Sequence, residues 1–269
     1  MLIAQDLELT FGQQEVFKQV SFTIQLGQKV GLVGRNGAGK STLLKVIGGR
    51  QPLDKGTISL ERERKIAYLP QEVVLLSSRS ILDETCSVFD EAQALQKKVT
   101  ELEAILATGE ATDEQFEEYT TAITALADFD LPALVVEAKQ VLQGLGLGPD
   151  RWETPVDQLS VGWKMRVVLA KLLLQKADLY LFDEPTNHLD IVAQTWFLDF
   201  LKNARFGFLL VSHDRYFLDH VCNYIFEVEM GRGTMYTGNY TRYLEQKAQA
   251  EELLQKQYDA QQREIKKKM

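Results

Sequence analysis

The chain has 269 residues, 45% of them hydrophobic and 25% charged, with a formal net charge of −8. That is the composition of a soluble globular protein with room for one large or two modest domains. No stretch approaches the roughly 18 consecutive apolar residues of a membrane span, and Met1–Asp6 lacks the basic region and apolar core of a secretory signal. Cys86 and Cys222 stand far apart with no Cys-x-x-Cys or Cys/His cluster, which argues against a disulfide or a zinc site and for a cytoplasmic location.

The charge is unevenly spread. Between Arg79 and Asp150 about fifteen acidic residues face four basic ones, so the remainder of the chain is slightly basic. Any electrostatic grip on a polyanion such as RNA is expected from outside that acidic segment.

Residues 1–33 show strand patterning in Leu2–Leu9, Val20–Ile24 and Val30–Val33. Phe11 follows the first strand, placed either to stack on a base or to bury its ring in the core. The third strand runs into Gly34-Arg35-Asn36-Gly37-Ala38-Gly39-Lys40-Ser41-Thr42, which fits G-x-x-x-x-G-K-[ST] and opens a helix ending at Gly48-Gly49. Glycines at 34, 37 and 39 let backbone N–H groups turn inward around a phosphate at the helix N-terminus. Lys40 is expected to reach the β- and γ-phosphates, and the Ser41 hydroxyl to face Mg²⁺. A magnesium-bound nucleoside triphosphate is the ligand this context predicts.

Gly56–Leu60 and Lys65–Leu69 read as two further strands around the charged turn Glu61–Arg64, and Pro70-Gln71 stops the second. From about Ser80 to Gln143 the composition turns helical. One apolar stripe runs Val88, Ala92, Leu95, Val99, Leu102, Leu106, and a second runs Phe116, Tyr119, Ile123, Leu126 beyond Thr108–Thr112, which predicts an antiparallel helical hairpin with a solvated acidic face. A third helix, Ala133–Leu142, ends in a glycine-rich run.

Ser160 is placed to cap a strongly apolar helix through Leu174. Leu179–Phe182 then reads as a buried strand delivering Asp183 and Glu184 to its C-terminal end, where α/β sheets place ligand chemistry. Phe208–Val211 repeats the design and delivers Ser212-His213-Asp214, and Tyr224–Glu229 with Thr234–Tyr236 closes the fold. Residues 240–269 hold no glycine or proline, and Tyr240, Leu244, Leu254, Tyr258 and Ile265 fall near a heptad stripe. A helix there would span roughly 45 Å, and it is expected to be a connector cut short.

In this order the motifs resemble the ATP-binding cassette superfamily. The resemblance implies an α/β P-loop NTPase fold: an antiparallel β subdomain, a helical subdomain carrying an α-hairpin insertion, and a C-terminal helical extension. The implied parts are 1–78 and 151–237 for the core, 79–150 for the helical insertion and 238–269 for the linker. It implies Phe11 as the adenine-stacking aromatic, Gly34–Thr42 as Walker A, and Gln71 as the Q-loop glutamine contacting Mg²⁺ and water. Leu159–Lys164 would be the signature, Leu179–Glu184 Walker B, His188-Leu189-Asp190 the D-loop, and His213 the switch histidine. On this reading Ser41, Gln71 and Asp183 serve the metal, Glu184 polarises the attacking water and His213 stabilises the γ-phosphate. Ser160 and Gly162 would complete the ATP site of a second cassette, in the same full-length chain or a homodimer, closed head to tail. A single cassette is therefore expected to bind ATP and hydrolyse it weakly. Val161 stands where the signature usually has its first glycine, and a left-handed backbone there would strain a β-branched residue.

Within the superfamily, Glu184–Asp190 (EPTNHLD), Ser212–Asp219 (SHDRYFLD), Trp163–Arg166 and Gly238–Glu245 resemble the ABC-F group, whose members act on ribosomes without a transmembrane partner. That implies a translation factor touching ribosome, rRNA or tRNA. The alternative is the ATPase subunit of a membrane transporter, and a third reading is an ATP-dependent clamp.

Overall fold

The computed structural model describes residues 1–71, 75–109 and 111–268, with side chains as far as Tyr258 except Leu254. In chain order the elements are β1 (Leu2–Phe11), β2 (Gln14–Ile24), β3 (Lys29–Val33), α1 (Lys40–Ile47), β4 (Lys55–Leu60), β5 (Ile66–Leu69), α2 (Ile81–Cys86), α3 (Asp90–Thr108), α4 (Asp113–Leu126) and α5 (Leu131–Gly144). There follow α6 (Val161–Leu174), β6 (Leu179–Asp183), α7 (Ile191–Asn203), β7 (Gly207–Val211), α8 (Arg215–Val221), β8 (Tyr224–Glu229), β9 (Arg232–Thr237) and α9 (Tyr240–Lys268). Two compact units emerge: one of residues 1–71, 177–187 and 197–269, the other of 72–176 and 188–196.

The first unit holds two sheets. Strands β2-β1-β4 form an antiparallel sheet in which Phe11 pairs with Gln14 across a two-residue turn, with Gly12 at φ +60°. The second sheet has the order β5-β6-β7-β3-β8-β9, parallel except for β9. Its strands β6 and β7 are buried throughout, as continuous apolar runs in a parallel sheet require. A single apolar cluster joins Leu7, Phe17 and Phe22 of the antiparallel sheet to Leu43, Leu44 and Ile47 of α1 and to Leu181, Leu209 and Phe226 of the larger sheet.

Both sheets match the expected strands, with β2 beginning at Gln14 rather than near Val20. Four exposed residues among Gln14–Gln19 hide the strand from a search for apolar alternation. The extension is helical as expected, but the stripe that faces the sheet differs. Leu244 and Tyr258 are exposed, and Leu254 and Ile265 lie outside the described side chains. Tyr243 is the buried residue. Its hydroxyl donates to Glu227 Oε1 at 2.6 Å, and Lys247 reaches Glu227 and, at 3.0 Å, Glu229. Burial alone would lower the Lys247 pKa, but these carboxylates outweigh it and push it up to about 12. A mixed polar and aromatic face, not a heptad seam, holds α9.

In the helical unit α3 ends on Gly109 in the left-handed conformation, and α4 opens with a capping box between Thr112 and Gln115. The predicted α3 stripe holds at Ala92, Val99 and Leu102. On α4 it holds in part: Tyr119 and Leu126 are half-buried, with the Tyr119 hydroxyl donating to Glu103 of α3 at 3.2 Å, whereas Phe116 and Ile123 are exposed and Ala122 is the buried position. Glu110 of the connecting turn lies outside the described residues.

A polar knot in this unit centres on Arg166 of α6. Its Nε donates to the His188 carbonyl at 2.9 Å, and one terminal nitrogen donates to the Leu145 carbonyl at 3.0 Å and to Asp190 Oδ2 at 2.9 Å. Its guanidinium lies 4.2 Å from the Trp163 ring centre, and that of Arg151 lies 4.5 Å from it. Asp190 Oδ1 accepts from the Ala193 N–H at 2.9 Å. That bond first, and the Arg166 bond second, hold its carboxyl below the usual range.

Two stability predictions follow from these knots. Lys247→Met leaves Glu227 buried with hydroxyl partners alone, so urea unfolding should report a loss of roughly 2–4 kcal/mol, with faster amide exchange at the start of α9. Arg166→Lys removes the planar fork and the ring stacking, so unfolding followed by Trp163 fluorescence should report a loss of roughly 1–3 kcal/mol.

Candidate nucleotide site

Strand order decides which loops can meet. β3, β5, β6 and β7 run parallel, so the residues after each emerge at the same edge of the sheet. That edge is where open α/β sheets bind ligands. Residues 34–42 follow β3, Gln71 follows β5, Asp183 and Glu184 end β6, and Ser212-His213 follow β7. The β1–β2 hairpin adds Phe11, Gln14 and Val16. Phe11, Lys40, Gln71, Asp183, Glu184 and His213 thus line one cavity of about 470 Å³, together with Asn36, Gly37, Gly39, Ser41 and Thr42.

Sterics and backbone both dictate the glycines of the loop. Gly34 has φ +149°, and a Cβ there would come within 2.3 Å of the Val228 carbonyl oxygen. Gly39, at φ +97°, caps α1, and a Cβ would meet Val16 Cγ1 at 2.6 Å. No acidic residue sits in the first turn of α1 itself, so the helix end carries no carboxylate of its own to offset its positive dipole. Lys40 Nζ donates to the carbonyls of Gly34 at 3.0 Å and Arg35 at 3.1 Å, bracing the loop. Arg35 and Ala38, also in the predicted loop, are joined by a backbone bond from the Ala38 N–H to the Arg35 carbonyl at 3.1 Å.

Opposite the loop stand the two carboxylates. Ser41 Oγ donates to Asp183 Oδ1 at 3.0 Å. Asp183 Oδ2 is buried and has no hydrogen-bond partner among the described residues, and the same is true of Tyr68 Oη. A buried acceptor left unpaired costs on the order of 1–3 kcal/mol, so Ser41 and Asp183 together fit a hard divalent cation and its water. Among the described residues there is no group of three His, Cys, Asp or Glu able to hold a metal ion. Burial pushes the Asp183 carboxyl up.

Glu184 takes a left-handed backbone, φ +52°, unusual for a non-glycine residue and a mark of a constrained turn at a site. Its N–H donates to the Val211 carbonyl at 3.0 Å, so β7 holds the turn. Glu184 Oε2 accepts from the His213 N–H, and Oε1 lies 3.3 Å from His213 Nε2. His213 is itself two-thirds exposed, facing the cavity. Burial raises the Glu184 carboxyl, and attraction to His213 only partly offsets it. A buried carboxylate next to an imidazole is a proton acceptor that needs no large rearrangement.

Phe11 is half exposed at the end of β1, so its ring is on the cavity wall and not in the core. Ser160 and Gly162 belong to the helical unit. Ser160 is the N-cap residue of α6 with an extended backbone, φ −64° and ψ 160°, but its side chain makes no cap hydrogen bond. Val161 is the first helical residue, and it is not among the residues of positive φ. The anticipated strain at Val161 is therefore absent, because the helix begins there and no left-handed turn is needed. The Gly162 position lies beside His188, whose Nδ1 would be 3.8 Å from an added Cβ.

Two polar features of the fold stand outside the sequence reading. Tyr68 looks like a core aromatic of β5, and only its orphaned hydroxyl distinguishes it. Arg166 reads from sequence merely as part of a helix start, and with Lys164 two residues before it nothing in the local pattern marks it as the buried cation.

A glycine loop at a helix start, two carboxylates on one parallel strand end and a histidine on the next define a P-loop nucleoside-triphosphate hydrolase. Residues 17–187 match the family model described as ABC transporter, and residues 226–269 match a second model with the same description. The chain belongs to the ABC transporter family, as an ATP-binding cassette, and cassettes of this family are ATPases. It is 34% identical over 257 residues to "ABC transporter F family member 2" of Arabidopsis thaliana, covering 93% of this chain and 38% of that protein. It is 35% identical over 238 residues to the "Energy-dependent translational throttle protein EttA" of Escherichia coli (strain K12), covering 88% and 42%. The solved structure titled "Structure of ATP binding subunit of ABC transporter" superposes with a TM-score of 0.65 over 88% of this chain and 90% of that one, at 24% identity, which shows the shared fold. The chain spans roughly two-fifths to one-half of the length of the curated relatives it matches.

The raised Glu184 carboxyl carries a sign. A folded-state pKa above the ordinary 4.5 means folding favours the protonated form, so its stabilisation is present below about pH 4.5 and lost as pH rises through the folded value. Nucleotide-free Glu184→Gln should melt higher than the unsubstituted protein at pH 7, by roughly a few °C, with the gap closing below about pH 4.5. Equal melting at pH 7 would mean that attraction to His213 cancels the burial.

Proposed function

We propose that this cassette binds and hydrolyses Mg²⁺-ATP as part of a two-cassette F-type protein that acts on the ribosome in translation. The convergence of five chain segments on one cavity carries the nucleotide reading. In it Gly34–Thr42 wrap the phosphates, Phe11 stacks on the adenine, and Lys40 exchanges the Gly34 and Arg35 carbonyls for phosphate oxygens. Ser41, Asp183 and Gln71 would hold the magnesium and its water, and the ion would supply charge neutralisation at the phosphates when bound. Glu184 accepts a proton from the attacking water, and His213 orients the γ-phosphate. Ser160 and Gly162 act on the nucleotide of a second cassette, and a cassette alone turns over slowly.

Support for the translational role comes from the likeness to an F-family member and to a translational throttle protein, each along about nine-tenths of this chain. Among the described residues no helix is long and apolar enough to cross a membrane. The strongly polar helix α9, tied to β8 through Tyr243 and Lys247, suits a connector to a second cassette. The rival reading, an ATPase subunit docking on a membrane component, draws on the fold shared with a transporter subunit.

Glu184→Gln, which keeps the hydrogen-bonding shape but removes the proton acceptor, should abolish at least nine-tenths of turnover and trap the ATP state. In the full-length protein this variant should co-sediment with ribosomes in ATP and not in ADP. Enrichment with membranes and none with ribosomes would overturn the translational reading while leaving ATP hydrolysis intact.

A further inference from the structure

Tyr68 sits two residues before the end of the stretch that leads to Gln71, yet nothing in the nucleotide chemistry above uses it. In the parallel pairing of β5 with β6 it lies opposite Leu181, and Asp183 is two residues further along β6. Side chains two apart share one face of a strand. Tyr68 and Asp183 therefore project to the same side of the sheet from adjacent strands, toward α1, whose Ser41 donates to Asp183 Oδ1 at 3.0 Å. The ring is fixed on both flanks: Arg50 lies 5.1 Å from its centroid, and a Cβ on Gly48 would come within 3.5 Å of its Cβ and Cγ.

The hydroxyl is the anomaly. Tyr68 Oη and Asp183 Oδ2 are both buried, and both lack a hydrogen-bond partner among the described residues. Folded chains rarely bury a phenol oxygen unpaired, and a phenylalanine would fill the same apolar space without that penalty. Two buried oxygens without partners, on one face of adjacent strands, point to a third polar group serving both.

Resting on the Mg²⁺-ATP reading, we propose that Tyr68 is a positioning residue for the metal: its Oη and Asp183 Oδ2 together accept hydrogen bonds from water in the magnesium hydration shell. A cation polarises its bound waters into strong donors, so what such a shell needs from the protein is oriented acceptors. Asp183 supplies a charged one and Tyr68 a neutral one. Because the ring is fixed by Arg50 and the α1 terminus, the shell meets an acceptor whose place is set before nucleotide arrives.

The test is magnesium dependence and not turnover. Binding of a fluorescent ATP analogue is measured on the whole chain as Mg²⁺ is raised from micromolar to millimolar, for the unsubstituted protein and Tyr68→Phe. The variant should need roughly three- to tenfold more Mg²⁺ at the midpoint, with unchanged nucleotide affinity in EDTA and an unchanged or higher nucleotide-free melting temperature. An unshifted midpoint overturns the proposal, and so does an equal loss of affinity with and without Mg²⁺, which would make Tyr68 a packing residue. A measurement on the unsubstituted protein needs no variant: with Mn²⁺ replacing Mg²⁺, the Tyr68 ring resonances should broaden when ATP is added, and unaltered lines overturn the assignment. If the unsubstituted protein binds no nucleotide at any Mg²⁺ concentration, the ATP reading itself fails, an outcome distinct from failure at Tyr68.

Discussion

The hydrogen bond from Ser41 to Asp183 ties together the two halves of the cavity. Ser41 belongs to the first turn of α1, which the glycine loop positions, and Asp183 ends a strand whose every residue is buried. A carboxylate at the end of such a strand is poorly solvated, as its raised pKa reports. It is held there by one hydroxyl, with an oxygen left over. Lys40 folds onto its own loop carbonyls at the same time. Positive and negative groups are thus placed within one cavity, with Lys40 paired to its own loop and one Asp183 oxygen left without a partner among the described residues. Such an arrangement has its polar groups in place ahead of a triphosphate and a divalent cation, and lowers the reorganisation that binding would otherwise require.

Much of this was legible in the sequence because the relevant contacts are local or end on strands. The loop from Gly34 to Thr42 carries its meaning within nine residues, and its backbone fulfils the reading, with Gly34, Gly37 and Gly39 all at positive φ. Asp183, Glu184 and His213 were legible because an apolar run followed by polar residues marks a strand end in a parallel sheet. The helical hairpin was legible through its turn chemistry at Gly109 and Thr112.

What escaped was whatever depended on a partner distant in sequence. The burial of Tyr243 is explained by Glu227 and Tyr236 on β8 and β9, and no period within α9 announces it. Apolar residues at 116 and 123 suggested a buried face for α4, but they are exposed and Ala122 is the buried position. Val161 was feared strained on the strength of a glycine elsewhere, whereas the helix start at that residue places it in a backbone region open to any side chain. Periodicity says which residues want burial. It does not say which of them the neighbouring element has room for.

One strand links the extension to the nucleotide loop. The Val228 carbonyl is the atom that excludes a side chain at Gly34, and its neighbours Glu227 and Glu229 are the groups that grip Lys247 of α9. Val228 itself is fully buried, so β8 cannot shift without disturbing the core. Gly34, Arg35, Lys40 and His213 share a second cavity, of about 400 Å³, with Tyr243 and Lys247. The foot of the helix and the back of the phosphate loop thus face the same space. Close packing leaves such a strand little room to adjust. A single buried strand is thus held on one side by the Lys247 contacts to Glu227 and Glu229 and meets Gly34 on the other, so the α9 foot and the glycine loop are built on one element.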